Sequence, residues 1–233
     1  MKLAILTMNK HNYNERCDET QLGNPKLQDH IDGTIQNLKD TLRADADLMA
    51  ISSAHVGADD MRIICIKFAR GDIRTFINPL VFGRKGIHLS REKQIGGEPT
   101  EFIVPRNDEI HVAYQTPVGR EEANSFMGVV SEIMQQMIDV LDGVLLQDWG
   151  LEILPGFDES DDETKKAIID MYLKDIESKQ QELLKEIEGN KEAKDMDKAI
   201  DFITQLSLGQ VETIEITDEE KKQMMKKAEE EKK

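Results

Sequence analysis

The residues able to do chemistry are few and scattered. Two cysteines and five histidines are spread over 233 residues. Cys17 and Cys65 show neither a CxxC spacing nor a disulfide pattern, and Cys65 sits in the apolar run Ile63–Ile66, where a thiol reads as a buried strand residue. No two histidines stand four apart, so no helix face carries the imidazole pair that a zinc or iron site commonly uses. The chain has no P-loop, HExxH, GxSxG or dinucleotide fingerprint. Gly96-Gly97 is a flexible turn, too short to cradle a phosphate. A metal site built from His55, Glu98 and Asp139 has suitable atoms but no spacing that supports it. His55 itself has two readings, a hydrogen-bond donor to a bound carbonyl or an ordinary loop histidine.

Regular elements must position these residues. Ile31, Ile35, Leu38 and Leu42 recur at helical spacing and predict a helix over 26–45. The Ile-rich stretch 61–68 predicts a strand, 75–81 a second strand interrupted by Asn78-Pro79, and 109–114 a third, followed by a turn at Pro117-Val118-Gly119. Phe126, Val130, Ile133, Met137 and Leu141 predict a buried helix over 124–142, capped by Asn124 or Ser125 and stopped by Gly143.

Composition shifts at Pro155-Gly156. The boundary is placed in the acidic stretch Asp158–Asp162, giving a domain over 1–156 and an acidic helical extension over 157–233. The extension reads as a helix over 163–188 with a seam of Ile169, Leu173, Ile176, Leu183 and Ile187, then a second helix to Leu206 carrying Met196, Ile200 and Ile203. An alternating segment follows over 210–217, then a last short helix capped at Thr217-Asp218. A net charge of -16 makes nucleic acid and anionic membranes poor partners. The N-terminal apolar patch ends too soon for a signal peptide, and no stretch reaches the length of a membrane span. A cytoplasmic setting is expected.

Three segments, in order, carry a resemblance. LMAISSAHVGADDMRIICI (48–66) is similar to a GxGLAAPQVG motif and the strand after it, with Leu48 and Ala50 in place of glycines and His55 in place of the glutamine. FIVPRNDEIHVAYQTPVG (102–119) is similar to a VPRxxxIxVxY stretch. EIMQQMIDVLDGVL (132–145) is similar to a QHExDHLDGxL helix, with Gln136, Met137 and Val140 in place of histidine, glutamate and histidine. Leu22–Leu27 and Asn78-Pro79 add G-N-P-x-L and INP matches. Over about residues 20–150 the chain resembles the peptide deformylase family.

The resemblance implies an α+β fold with antiparallel sheets around a C-terminal core helix. In that family one cysteine, from an EGCLS segment, and two histidines hold a metal that activates water. The glutamate moves the proton, and the glutamine helps hold the oxyanion. Here the window Glu92–Pro99 has no cysteine in any register, and Gln136, Met137 and Val140 cannot do the rest. The expectation is therefore no metal, no cofactor and no catalytic residue. Arg106 and Asp139 match a structural ion pair of the family, and His55, Gly96, Gly97 and Glu98 are the candidates for a retained peptide groove. Three functions compete. The first is a non-catalytic binding or assembly factor, with a protein partner on residues 163–206. Deformylase-like proteins also occur in bacteriophages, so a viral assembly factor is one version of it. The second is an active deformylase acting on N-formylmethionine. The third is a non-hydrolytic binder of peptide N-termini.

Overall fold

The computed structural model describes residues 2–6, 8, 15–68, 71–96 and 99–189, without the side chains of 183, 184 and 186–189. The elements expected beyond residue 190 lie outside these.

Helix α1 (Gln28–Ala44) turns Ile31, Ile35, Leu38 and Leu42 inward. It lies on a five-stranded antiparallel sheet of order β1-β2-β3-β6-β7, formed by Ala50–Ser52, Ile63–Lys67, Ile73–Lys85, Glu109–Gln115 and Glu121–Met127. Strand β2 explains its own continuous apolar run. Ile63 and Cys65 face α1, while Ile64 and Ile66 face the opposite core, so both sides of the strand are buried. Strand β3 is longer than expected and runs straight through Asn78-Pro79 as a bulge, where the pairing with β6 shifts. The bulge is held by Asn78, at φ 51°, whose amide donates to the Thr20 carbonyl at 2.9 Å while its Oδ1 accepts from the Thr20 N–H at 2.8 Å.

Helix α2 (Val129–Leu141) packs on β1, β7 and the strand Glu101–Arg106 and fills the second core with Met134, Met137, Ile138, Val140 and Leu141. It begins five residues later than its periodicity suggests. Residues 121–127 form a strand instead, in which Asn124 donates to the Tyr114 hydroxyl at 2.6 Å and Ser125 meets His111 at 2.7 Å. Neither caps a helix. The break is made by Gly128, at φ 57° and ψ -139°, and Gly143, at φ 77°, follows the helix end.

A second sheet, β4-β5-β8 (His88–Lys93, Glu101–Arg106, Leu151–Glu152), completes the body together with the short helix α3 (Leu146–Trp149). Helix α4 (Asp162–Gly189) then returns to it. Tyr172 and Ile176, with Leu173 at the edge, pack on Phe102, Val104, Leu146 and Trp149. Part of the seam expected on the extension is thus covered by the chain's own body. Among the described residues, no helix is long and apolar enough to cross a membrane.

Candidate functional site

Helix α2 supplies Gln136, Met137, Asp139 and Val140. Strand β4 supplies Glu92 and leads into Gln94, and β5 ends on Arg106. These side chains converge. Arg106 donates from Nε and Nη2 to the two oxygens of Glu92 at 2.6 and 2.8 Å, and from Nη1 to Asp139 Oδ2 at 2.6 Å. The guanidinium is 2% exposed and lies 5.2 Å from the Trp149 ring centroid. Burial works against its charge, but Asp139 and Glu92 outweigh that, and its pKa rises. Burial pushes the Asp139 carboxyl up to about 6, against the pull of Arg106. Bidentate, charge-assisted bonds of this kind fix geometry as well as contribute energy.

Gln136 joins the same network. Its amide nitrogen donates to Glu92 Oε2 at 2.9 Å and to the Lys93 carbonyl at 3.1 Å. Met137 and Val140 are buried among apolar neighbours. Gln94 is buried, and its Oε1 accepts from the Leu146 N–H at 2.9 Å, while its Nε2 has no partner among the described residues.

His55 lies on the short 3-10 helix Ser53–Val56, away from the Arg106 cluster's bonds. Its Nδ1 accepts from the Ser52 N–H at 3.2 Å and sits 2.7 Å from the Ser52 hydroxyl. A ring nitrogen that accepts from a backbone N–H carries no proton, so the proton is on Nε2. That Nε2–H is buried and has no acceptor among the described residues. Burial lowers the pKa to about 4, so the ring is neutral. Gly96 follows Gln94 in a turn at φ 72°. Gly97 and Glu98 lie outside the described residues.

The family model for polypeptide deformylase matches residues 2–152. The chain belongs to the peptide deformylase family. A "peptide deformylase-like" protein of Agrobacterium fabrum is 29% identical over 121 residues, 51% of this chain and 71% of that one. The peptide deformylase of Legionella pneumophila shares the fold with a TM-score of 0.57 at 18% identity, over 66% of this chain and 88% of its own. A probable peptide deformylase from Synechococcus phage S-SSM7 does so with a TM-score of 0.56 at 19% identity, over 63% and 99%.

The bonds from Arg106 to Glu92 give the EGCLS-like segment a register. Taking Glu92, the carboxylate held by Arg106, as the motif's glutamate puts Gln94 where the deformylase cysteine stands. The donor set at that position is then the amides of Gln94 and Gln136 and the methyls of Val140. Among the described residues no thiolate or imidazole joins that set, and Gln136 donates to Glu92. This set does not fit a zinc or iron ion. Glu92 and Gln94 escaped the sequence reading because only the bond to Arg106 fixes the register. Tyr172 escaped because it lies one residue off the expected seam.

Proposed function

We propose that this deformylase-fold domain is not catalytic and that the protein acts as a binding or assembly factor, engaging a protein partner through residues 163–206 of its C-terminal extension. One observation carries the first half. Gln136, at the position of a metal histidine, spends its amide on Glu92 and Lys93, and the buried Met137 and Val140 replace the base and the second histidine. Attack of water on a formyl carbon needs an activated water and a group to take its proton, and these side chains supply neither. The second half is supported by α4, whose inner face is used by Tyr172 and Ile176 while Met171 stands out at 72% exposure. A viral assembly factor is one form of this reading.

The test is hydrolysis of a formyl-Met peptide with nickel or iron added, together with metal analysis of protein purified without chelator. We expect no turnover above buffer and far less than one bound metal per chain. Turnover that co-purifies with the protein, or stoichiometric zinc or iron, would overturn the reading. For the extension, a partner retained by the intact chain must be lost in Met171→Asp.

A second reading, a groove that binds peptide without hydrolysing it, is favoured by the buried Nε2–H of His55, which has no acceptor among the described residues and is a donor suited to a carbonyl.

A further inference from the structure

The N-terminal segment lies between the two loops that hold His55 and Gly96. The Leu6 N–H donates to the His55 carbonyl at 2.8 Å, and the Met8 N–H donates to the Gly96 carbonyl at 3.0 Å. His55 follows β1 of the five-stranded sheet and Gly96 follows β4 of the three-stranded one, so the segment bridges the two sheets. Further back, the Leu3 N–H donates to Thr41 Oγ1 at 3.0 Å.

The side chains are seated as well. Met8 is 2% exposed and belongs to the same buried cluster as Ala54, Met137 and Val140, with Ile95 at its edge. The two glycines beside the segment leave room for it. A Cβ on Gly96 would stand 2.5 Å from the Leu6 carbonyl oxygen and 2.8 Å from Ile5 Cγ2, and one on Gly57 would stand 3.2 Å from Leu6 Cδ1. Backbone carbonyls at His55 and Gly96 with one apolar socket between them make a site for extended chain, since main-chain bonds hold any sequence and the socket selects one side chain.

We propose that Leu3–Leu6 and Met8 are a self-bound ligand: they fill a peptide groove between His55 and Gly96 with Met8 as the anchor, and an extended peptide bearing an apolar residue at that position competes for the groove. The proposal deepens the peptide-groove reading and does not depend on whether formyl groups are hydrolysed. A tethered segment of this kind acts at an effective concentration on the order of millimolar, so the intact chain resists a free peptide.

The probe is a fluorescent peptide with the sequence of residues 2–8, titrated into the full chain and into full-length Met8→Asp and Gly96→Ala, with hydrogen exchange of the Leu6 and Met8 amides followed in parallel. A buried carboxylate ejects the segment in Met8→Asp. That variant should lose protection at residue 6 while the amides of Ile64 and Cys65 stay protected, and it should bind the probe at least about ten-fold more tightly than the intact chain. Gly96→Ala should also release the segment, yet reject the probe, because the free peptide meets the same Cβ. Equal binding of the probe to the intact chain and Met8→Asp, or binding to neither, overturns the proposal. So does a Met8→Asp chain that fails to fold, or one whose residue 6 exchanges only with β2, since the segment would then be part of the core rather than bound to it. Formyl-peptide turnover, in contrast, would sink only the non-catalytic reading.

Discussion

Gln136 and Arg106 share one oxygen: both donate to Glu92 Oε2, at 2.9 and 2.8 Å. Through that atom Gln136 on α2 is tied to the buried ion pairs of Arg106. Glu92 takes three donors and Asp139 takes one from the same guanidinium, so the two carboxylates are unequal in what their loss leaves unpaired.

The order of two substitutions follows. Asp139→Ala leaves Arg106 bound to both oxygens of Glu92, whereas Glu92→Ala orphans two guanidinium donors in a buried setting and leaves the Gln136 amide only its bond to the Lys93 carbonyl. Breaking a buried pair costs about 3–5 kcal/mol. Asp139→Ala should fall at the lower end and Glu92→Ala at the upper, as read by urea unfolding. Asp158→Ala removes one of two exposed partners of Arg91, the other being Glu101, and should cost no more than about 1 kcal/mol. A reversed order, or an unchanged curve for both buried sites, would remove the structural role given to Asp139 and Glu92.

Much of this body was legible in the sequence, and what was not has physical causes. The periodic α1, the apolar β2 and the alternating β6 each read correctly because one face, or in β2 both faces, is buried. Strand β7 did not. Phe126, Val130, Ile133 and Met137 keep a helical spacing across Gly128, and only the pairing of residues 121–127 with β6 shows that Phe126 reaches the core from a strand. At the site, Gln136, Met137 and Val140 were singled out from residue types and order alone, but Gln94 could be placed only after Glu92 was seen on Arg106. The seating of Met8 depends on a backbone bond to a residue 88 positions away, which no local pattern encodes.

Two glycines separate backbone strain from side-chain crowding. A Cβ on Gly128 or on Gly33 meets nothing within 4 Å. Gly128 nevertheless holds φ 57° with ψ -139°, a conformation that costs other residues about 1–3 kcal/mol. Gly33 is an ordinary α1 residue, where glycine is worse than alanine by about 0.5–1 kcal/mol. Gly128→Ala should therefore lower the thermal midpoint and Gly33→Ala should raise it, although neither side chain touches anything.

His55 gives a pH signature. Its folded pKa is held near 4 by burial, against 6.5 for the free ring. Between those values the unfolded chain binds the extra proton and the folded chain does not. Stability is therefore full above about pH 6.5, falls as pH drops through the window and levels near 4, a total of about 3 kcal/mol. The raised carboxyl of Asp139 acts in the opposite sense over part of that range. The contribution is isolated by subtracting the pH profile of His55→Gln, which keeps Asp139. A flat difference between pH 4 and 7 would mean that the ring is not buried.

Helix α4 offers the last test, because its two sides differ so sharply. Ile176 is 3% exposed against Phe102, Val104, Leu146 and Trp149, and Met171 is 72% exposed on the same helix. If α4 is docked on the body, Ile176→Ala should cost about 2–5 kcal/mol, since a buried aliphatic side chain is removed from a packed site. Met171→Ala, with nothing to lose, should stay within about 0.5 kcal/mol. The transition must also remain single and coincident when followed by Trp149 fluorescence, which reports the α4 contact, and by far-UV circular dichroism. An Ile176→Ala chain that shifts the fluorescence transition alone would show that α4 detaches before the sheets unfold, and would make the extension a separable unit rather than a part of the deformylase-fold body.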